Sequence, residues 1–262
     1  MKIRVAICQV DMEWENTARN LKRLEPIVAA ADADVVVLPE MFATGFKLRP
    51  ACVAEPADGL VVTTMRRWAA QYGRAVVGSV VVAEQERFRN RMFFVKPSGE
   101  TAWYDKRHLF RPGGEARDYT PGDRRVIVEY MGFRFLLLVC YDLRFPELAR
   151  GMVQDGADII FVPAFWPAGA PLPSRTDHWD TLVNCTALLN QTYVVAVNQY
   201  GHMSTEIPFG RSCTVDPWGT VIAQCANRVC ISYAELDMGY QQQVRERLAT
   251  WPNRRPDCYT LH

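Results

Sequence analysis

Apolar and polar residues follow two periods along this chain, one of two residues and one near 3.6, and segments of each kind alternate from end to end. Residues 3 to 10 alternate as a strand does. The next apolar positions, Leu21, Leu24, Ile27 and Val28, recur at helical spacing behind Asn16, a good N-cap. Pro26 inside that pattern predicts a kink or an early break. DVVVLPE, 34 to 40, is a continuous apolar run, which predicts a strand covered on both faces and ending on Glu40. MFATGFKLRP has no period and reads as a loop, after which a helix is expected from Leu60 to Tyr72, stopped by Gly73.

Strands follow at AVVGSVVVAE, RMFFVKP and TAWYDK, the last ending on Lys106. RHLFRPGGEARDYTPGD is a long loop by composition, and loops of that length usually carry function. Residues 133 to 139, FRFLLLV, read as a buried strand that runs into Cys140, and Pro146 with Glu147 opens a helix. DIIFVPA predicts a strand, the Pro-rich WPAGAPLPSRTDHW a loop, residues 177 to 190 a helix and YVVAVNQYG a strand. SCTVDPWGTVIAQC reads as two strands about a turn at 217–219, VCISYAELD as one more strand, and residues 238 to 249 as a terminal helix. With no repeat, low-complexity tract or linker, this is an α/β chain of one domain, 1–262.

Composition narrows the function. Hydrophobic residues make up 49% of the chain, ample for a sizeable core, and 30 basic against 29 acidic side chains leave no footprint of a nucleic-acid binder. Arg87, Arg89 and Arg91, between two strand-like segments, read as a solvated hairpin rim. No apolar segment is long enough for a membrane span, and MKIRVAICQV runs into acidic DMEWEN where a signal peptide would carry small residues. The eight scattered Cys fit reduced thiols in a cytoplasmic protein better than a disulfide framework. Cys225 and Cys230 find no matching pair among His108, His178, His202 and His262, so no metal site is expected.

Three apolar runs end on a group that can do chemistry: Glu40, Lys106 and Cys140. Were those strands side by side, the three side chains would meet at one rim of strand carboxyl ends, where ligands bind in α/β proteins. A thiol needs a base or a positive neighbour to become a nucleophile, and an activated one is expected to have a lowered pKa. Glu40 could be the base, its pKa raised by burial, with Lys106 holding thiolate and oxyanion. His108 and His178 remain open as alternative bases.

LPEMFATGF with Glu40, YDKRHLF with Lys106 and VCYDLRFPE with Cys140, in that order, resemble the nitrilase superfamily of carbon-nitrogen hydrolases, with further likeness at GRSCTVDPWG and at Asn190-Gln191. The resemblance implies a four-layer α-β-β-α sandwich, a homodimer formed sandwich on sandwich, and a Glu-Lys-Cys triad. It also implies a second glutamate in the loop after the lysine, for which Glu115 is the counterpart. Within the superfamily, CYDLRFPE, the Trp166-Pro167 loop, His178-Trp179 and the ending RPDCYTL most resemble the ω-amidase branch, which hydrolyses the terminal amide of small dicarboxylic monoamides such as 2-oxoglutaramate. The expected chemistry runs through a Cys140 thioester, with the backbone N–H of Tyr141 as oxyanion donor and no metal or organic cofactor. Its partners are a small amide and water. Arg175 is the candidate for the substrate carboxylate, since guanidinium suits planar bidentate pairing, with Phe46, Trp166 and His178 as further pocket residues. Asp142 and Arg144 are expected to fix the turn rather than touch substrate. The chain departs from its relatives at Phe165 and across Thr186 to Leu189, where they tend to carry polar groups. A nitrilase or amidase for other small substrates, and a silent binding subunit of the same fold, remain alternatives.

Overall fold

The computed structural model describes residues 1–46, 48–168, 174–201 and 207–258. The middle of the Pro-rich loop, His202, His262 and the end of the RPDCYTL stretch lie outside them.

The first half lays down β1 (Lys2–Gln9), α1 (Thr17–Ala30), β2 (Val35–Val37), α2 (Leu60–Tyr72), β3 (Ala75–Glu84), β4 (Arg87–Val95), β5 (Thr101–Asp105) and the single turn α3 (Glu115–Asp118). The second half adds β6 (Ile127–Tyr130), β7 (Phe133–Leu137), α4 (Pro146–Gln154), β8 (Ile159–Ala164), α5 (Thr176–Asn190), β9 (Tyr193–Asn198), β10 (Cys213–Val215), β11 (Val221–Gln224), β12 (Cys230–Asp237) and α6 (Met238–Arg247). Two six-stranded sheets result, ordered β12-β1-β2-β3-β4-β5 and β11-β10-β9-β8-β7-β6. In the first, β1, β2 and β3 are parallel and are joined through α1 and α2; in the second, β7, β8 and β9 are parallel and are joined through α4 and α5.

Burial follows this layering. Val5, Ile7, Val35, Val37, Val77 and Phe94 of the first sheet pack with Phe135, Leu137, Phe161 and Val195 of the second in one apolar cluster. Ala6, Cys8, Val36 and Val76, on the opposite face of the first sheet, meet Leu21, Leu24 and Val28 of α1 and Met65 and Trp68 of α2. The outer face of the second sheet is covered by Leu148 and Met152 of α4 and Trp179 and Val183 of α5. The architecture is the α-β-β-α sandwich, and the Val runs that break strict alternation are strands covered on both faces.

Four local expectations need correction. Pro26 does not interrupt α1, which runs on to Ala30; Pro26 is exposed, so the hydrogen bond it cannot make falls on the solvent side. The strand before Glu40 stops pairing early, at Val37, with Leu38 N–H still donating to Val77 at 2.7 Å before Pro39 ends the ladder. The long loop after Lys106 is not featureless, since it holds a 3-10 turn at Arg111–Gly113 and α3. Arg91 is no solvated rim. It is buried, donates to Asp105 at 2.6 and 2.9 Å and to Glu84 at 3.1 and 3.2 Å, and stacks 3.9 Å from the Trp103 ring. Its face of β4 is covered by side chains of its two neighbouring strands, which the spacing of three arginines does not reveal.

Candidate functional site

Each sheet sends the carboxyl ends of its parallel strands toward the same rim, so groups far apart in the chain converge there. The three strands that precede Glu40, Lys106 and Cys140 are nevertheless not side by side. β2 and β5 share a sheet but are separated by β3 and β4, and β7 belongs to the other sheet. The groups meet across the stack of two sheets, with Lys106 reaching from the edge strand.

Glu40 and Lys106 are fully buried. The Glu40 Oε1 accepts from Lys106 Nζ at 2.8 Å and from Asn90 Nδ2 at 2.7 Å, while Oε2 accepts from the backbone N–H of Phe165 at 2.7 Å. Glu115, at the start of α3, is buried as well: its Oε2 accepts from Lys106 Nζ at 2.8 Å and from Phe110 N–H at 2.6 Å, and its Oε1 from Asn90 Nδ2 at 3.1 Å. Two carboxylates thus share one ammonium and one amide. Gln199 Nε2 holds the Glu40 carbonyl at 2.6 Å.

Cys140 opens a 3-10 turn, Cys140–Arg144, and sits at φ 47°, a left-handed conformation that a side chain with a Cβ adopts only under constraint. Asp142 supplies the constraint. Fully buried, it accepts from Val139 N–H at 3.0 Å, Tyr104 O–H at 2.8 Å and His108 N–H at 2.9 Å, and its Oδ1 lies 2.8 Å from His108 Nδ1. The Cys140 Sγ donates to the Phe165 carbonyl at 3.5 Å, and the nearby Glu40 carboxylate acts on the thiol electrostatically. Phe165 therefore offers its N–H to the carboxylate and its carbonyl to the thiol.

The electrostatics follow from burial. Burial raises Glu40 above the ordinary carboxylate value, helped by Glu115 and opposed by Lys106. Burial works against the Lys106 charge, but Glu115 and Glu40 together outweigh it and leave the ammonium well above its usual value. Burial and then Glu40 push the Cys140 thiol well up, against Lys106. The expected low-pKa thiol is thus corrected: the resting group is a neutral thiol beside a base.

Neither imidazole competes as that base. His108 points to Asp142 and stacks on Phe145 at 3.7 Å, and His178, exposed, lies 3.1 Å from Arg144 Nη2. The other pocket candidates gather around Phe165 and Trp166. Phe46 stacks on Phe165 at 5.2 Å and 3°, with Lys106 Nζ 5.6 Å from its ring centre. Arg175 lies over Phe110 at 5.1 Å and Trp166 at 5.9 Å, and its carbonyl accepts from Trp166 Nε1 at 3.2 Å. The ring of Tyr141 packs edge-on against Phe110 at 5.0 Å. Asp142 fixes the turn as expected. Arg144 does not, because its guanidinium leaves the turn for His178 and the Trp166 ring, 4.9 Å away.

Over residues 4–246 the chain matches the carbon-nitrogen hydrolase family. It belongs to that family. Among its relatives are omega-amidase YafV of Escherichia coli K12, 35% identical over 252 residues that cover 95% of each chain, and 2-oxoglutaramate amidase of Bacillus subtilis 168, 32% identical over 264 residues, 99% of this chain and 100% of the relative. Among solved structures, XC1258 of Xanthomonas campestris, a CN-hydrolase superfamily protein with an arsenic adduct in its active site, superposes over 100% of both chains with a TM-score of 0.92 and 30% identity.

Sequence reasoning missed two groups of this family member's site. Asn90 carried little signal, since it stands between Arg89 and Arg91 in RFRNRMFFV, before the apolar run that ends the strand. Gln199 carried none, since it directly follows β9 and its side chain serves the opposite sheet's loop.

Proposed function

We propose that the protein hydrolyses the terminal amide of small dicarboxylic monoamides, of the 2-oxoglutaramate type, to acid and ammonia through a Cys140 thioester. The observation that carries this reading is the fully buried Glu40, 2.8 Å from Lys106 and tied to the Cys140 thiol through Phe165, whose N–H binds the carboxylate and whose carbonyl accepts from the thiol. Glu40 takes the thiol proton as sulfur attacks the amide carbon, so that no free thiolate need persist in a buried site. Lys106 has three N–H donors and uses two on Glu40 and Glu115, which leaves the third for the oxyanion. The N–H of Tyr141 is the second donor, in the first turn of a helix where backbone N–H groups have no intrahelical acceptor. Collapse of the intermediate breaks the C–N bond, and the proton held by Glu40 goes to the leaving nitrogen, which departs as ammonia. Glu40 then takes a proton from water as its oxygen attacks the thioester, releasing the acid and restoring the thiol. Glu115 holds Lys106 and Phe110 in place and keeps Lys106 charged.

Phe46, Trp166 and His178 line the substrate pocket, and Arg175 takes the substrate's free carboxylate. The similarity to an omega-amidase and a 2-oxoglutaramate amidase over nearly the full length supports that substrate class. The whole chain acts as one unit and as a homodimer, the exposed Leu188, Leu189 and Leu248, grouped with Arg150 and Arg254, being the apolar surface available for a second copy. Its free cysteines suit a reducing cytoplasmic setting. Among the described residues no helix is long and apolar enough to cross a membrane. The test is Cys140→Ala, which should abolish ammonia release from 2-oxoglutaramate with unchanged circular dichroism; turnover near wild type would sink the assignment.

A further inference from the structure

The geometry points to Arg144 as a specificity-determining residue that, together with Arg175, clamps the free carboxylate of the substrate and so decides which end of the molecule reaches Cys140. The inference deepens the amide-hydrolase reading above and rests on it.

Arg144 ends the 3-10 turn that begins at Cys140, four residues from the thiol, and is only partly exposed. Its guanidinium lies 4.9 Å from the Trp166 ring centre, and that of Arg175 lies 5.9 Å from the same ring. Two cations therefore share one aromatic wall, and that wall directly follows Phe165, which bonds both Glu40 and Cys140. His178 aims one of them: arginine can only donate, so at 3.1 Å the Nδ1 of His178 is the accepting atom. Pro167 O, 3.4 Å from Arg175 Nη2, steadies the other.

Neither arginine has a counter-ion among the described residues. Among the described residues no carboxylate pairs with either, and the Nε of Arg175 is buried without an acceptor. Burial and then the neighbouring charge of Arg175 hold Arg144 below its ordinary value, with only Tyr141 and Cys140 acting the other way. Partly desolvated cations that repel one another are costly unless an anion joins them. A planar carboxylate is the group that two guanidinium forks fit.

The site is polar along its length. Inside, two carboxylates, Glu40 and Glu115, face one ammonium, Lys106, whereas at the aromatic wall two guanidinium groups meet no carboxylate among the described residues. A monoamide acid matches that gradient when its neutral amide goes in and its anion stays out. The reversed pose would set a carboxylate against Glu40 and Glu115. Hydrolysis creates that situation, because the new carboxylate forms beside Glu40, so the dicarboxylate product is pushed out rather than retained.

The experiment compares kcat and KM for glutaramate and for pentanamide, a neutral amide of the same length, in wild type, Arg144→Gln, Arg144→Lys and Arg144→Glu. Arg144→Gln should raise KM for glutaramate about tenfold or more with kcat nearly unchanged and pentanamide hydrolysis unaffected. Arg144→Lys should recover part of the loss, and Arg144→Glu should favour 5-aminopentanamide, which carries a cation where glutaramate carries an anion. Equal losses on both amides, or a fall in kcat rather than a rise in KM, would make Arg144 a prop of the turn and overturn the inference. Should Arg175→Gln alone change the preference, the clamp has one arm and Arg144 is removed from it. A wild-type enzyme that hydrolyses amides without favouring glutaramate over pentanamide would overturn the substrate class together with the clamp.

Discussion

Replacing Asn90 by leucine isolates the tuning of Glu40 from the chemistry of Cys140. The Asn90 amide donates to Glu40 at 2.7 Å and to Glu115 at 3.1 Å in a buried site, so it favours the anionic form of Glu40. Its own Oδ1 has no partner, so leucine, branched at the same carbon though larger, removes both donors; Glu40 Oε1 keeps Lys106, while Glu115 Oε1 loses the one donor described for it. A hydrogen bond to a charged group is worth roughly 1.5–3 kcal/mol, and 1.4 kcal/mol corresponds to about one pH unit. Glu40 is already raised by burial, so the acidic limb of kcat/KM lies above the ordinary carboxylate range in the wild type. Loss of a donor to the anion favours protonation, which moves that limb further alkaline by roughly one to two pH units. Ammonia release measured from pH 5 to 10 at constant ionic strength reads the limb directly, with about tenfold or greater loss on the acid side and recovery toward the wild-type plateau at high pH. A uniform loss at every pH with the limb unmoved would refute the reasoning and leave Asn90 as a packing residue.

Removing the buried anion of Asp142 should loosen the strained turn at Cys140. Asp142→Ala leaves the donors of Val139, Tyr104 and His108 unpaired, at a cost of roughly 3 kcal/mol and a Tm lower by about 6–12 °C, which differential scanning calorimetry reads. Arg91→Met strands Asp105 and should cost roughly 3–5 kcal/mol in urea unfolding, while the double variant with Asp105→Leu should be closer to wild type. A bulky maleimide should label the exposed Cys52, Cys185 and Cys258 and spare the buried, neutral thiol of Cys140, as peptide mass mapping would show.

Local pattern carried most of the element order. The Val run of β2, the Leu60–Tyr72 helix with Gly73 in the left-handed conformation at its end, and the apolar stretch into Cys140 all stand where period and punctuation put them. Errors cluster where a residue's environment is made by chain that is distant in sequence. Arg91 looked like surface because its burial depends on Glu84 and Asp105 from flanking strands. Arg144 looked like part of its own turn because its partners, Trp166 and His178, arrive from the loop after β8 and from α5 respectively.

The same division holds at the candidate site. Sequence alone determined which groups are present and that Glu40, Lys106 and Cys140 each follow an apolar run, because side-chain period and turn chemistry are short-range. Only tertiary structure decided that they meet across two sheets rather than along one, that Asn90 joins them, and that the thiol is neutral at rest. Those outcomes depend on the stacking of the two sheets and on the water it excludes, and neither burial nor the balance of charges inside it is encoded in any single stretch of chain.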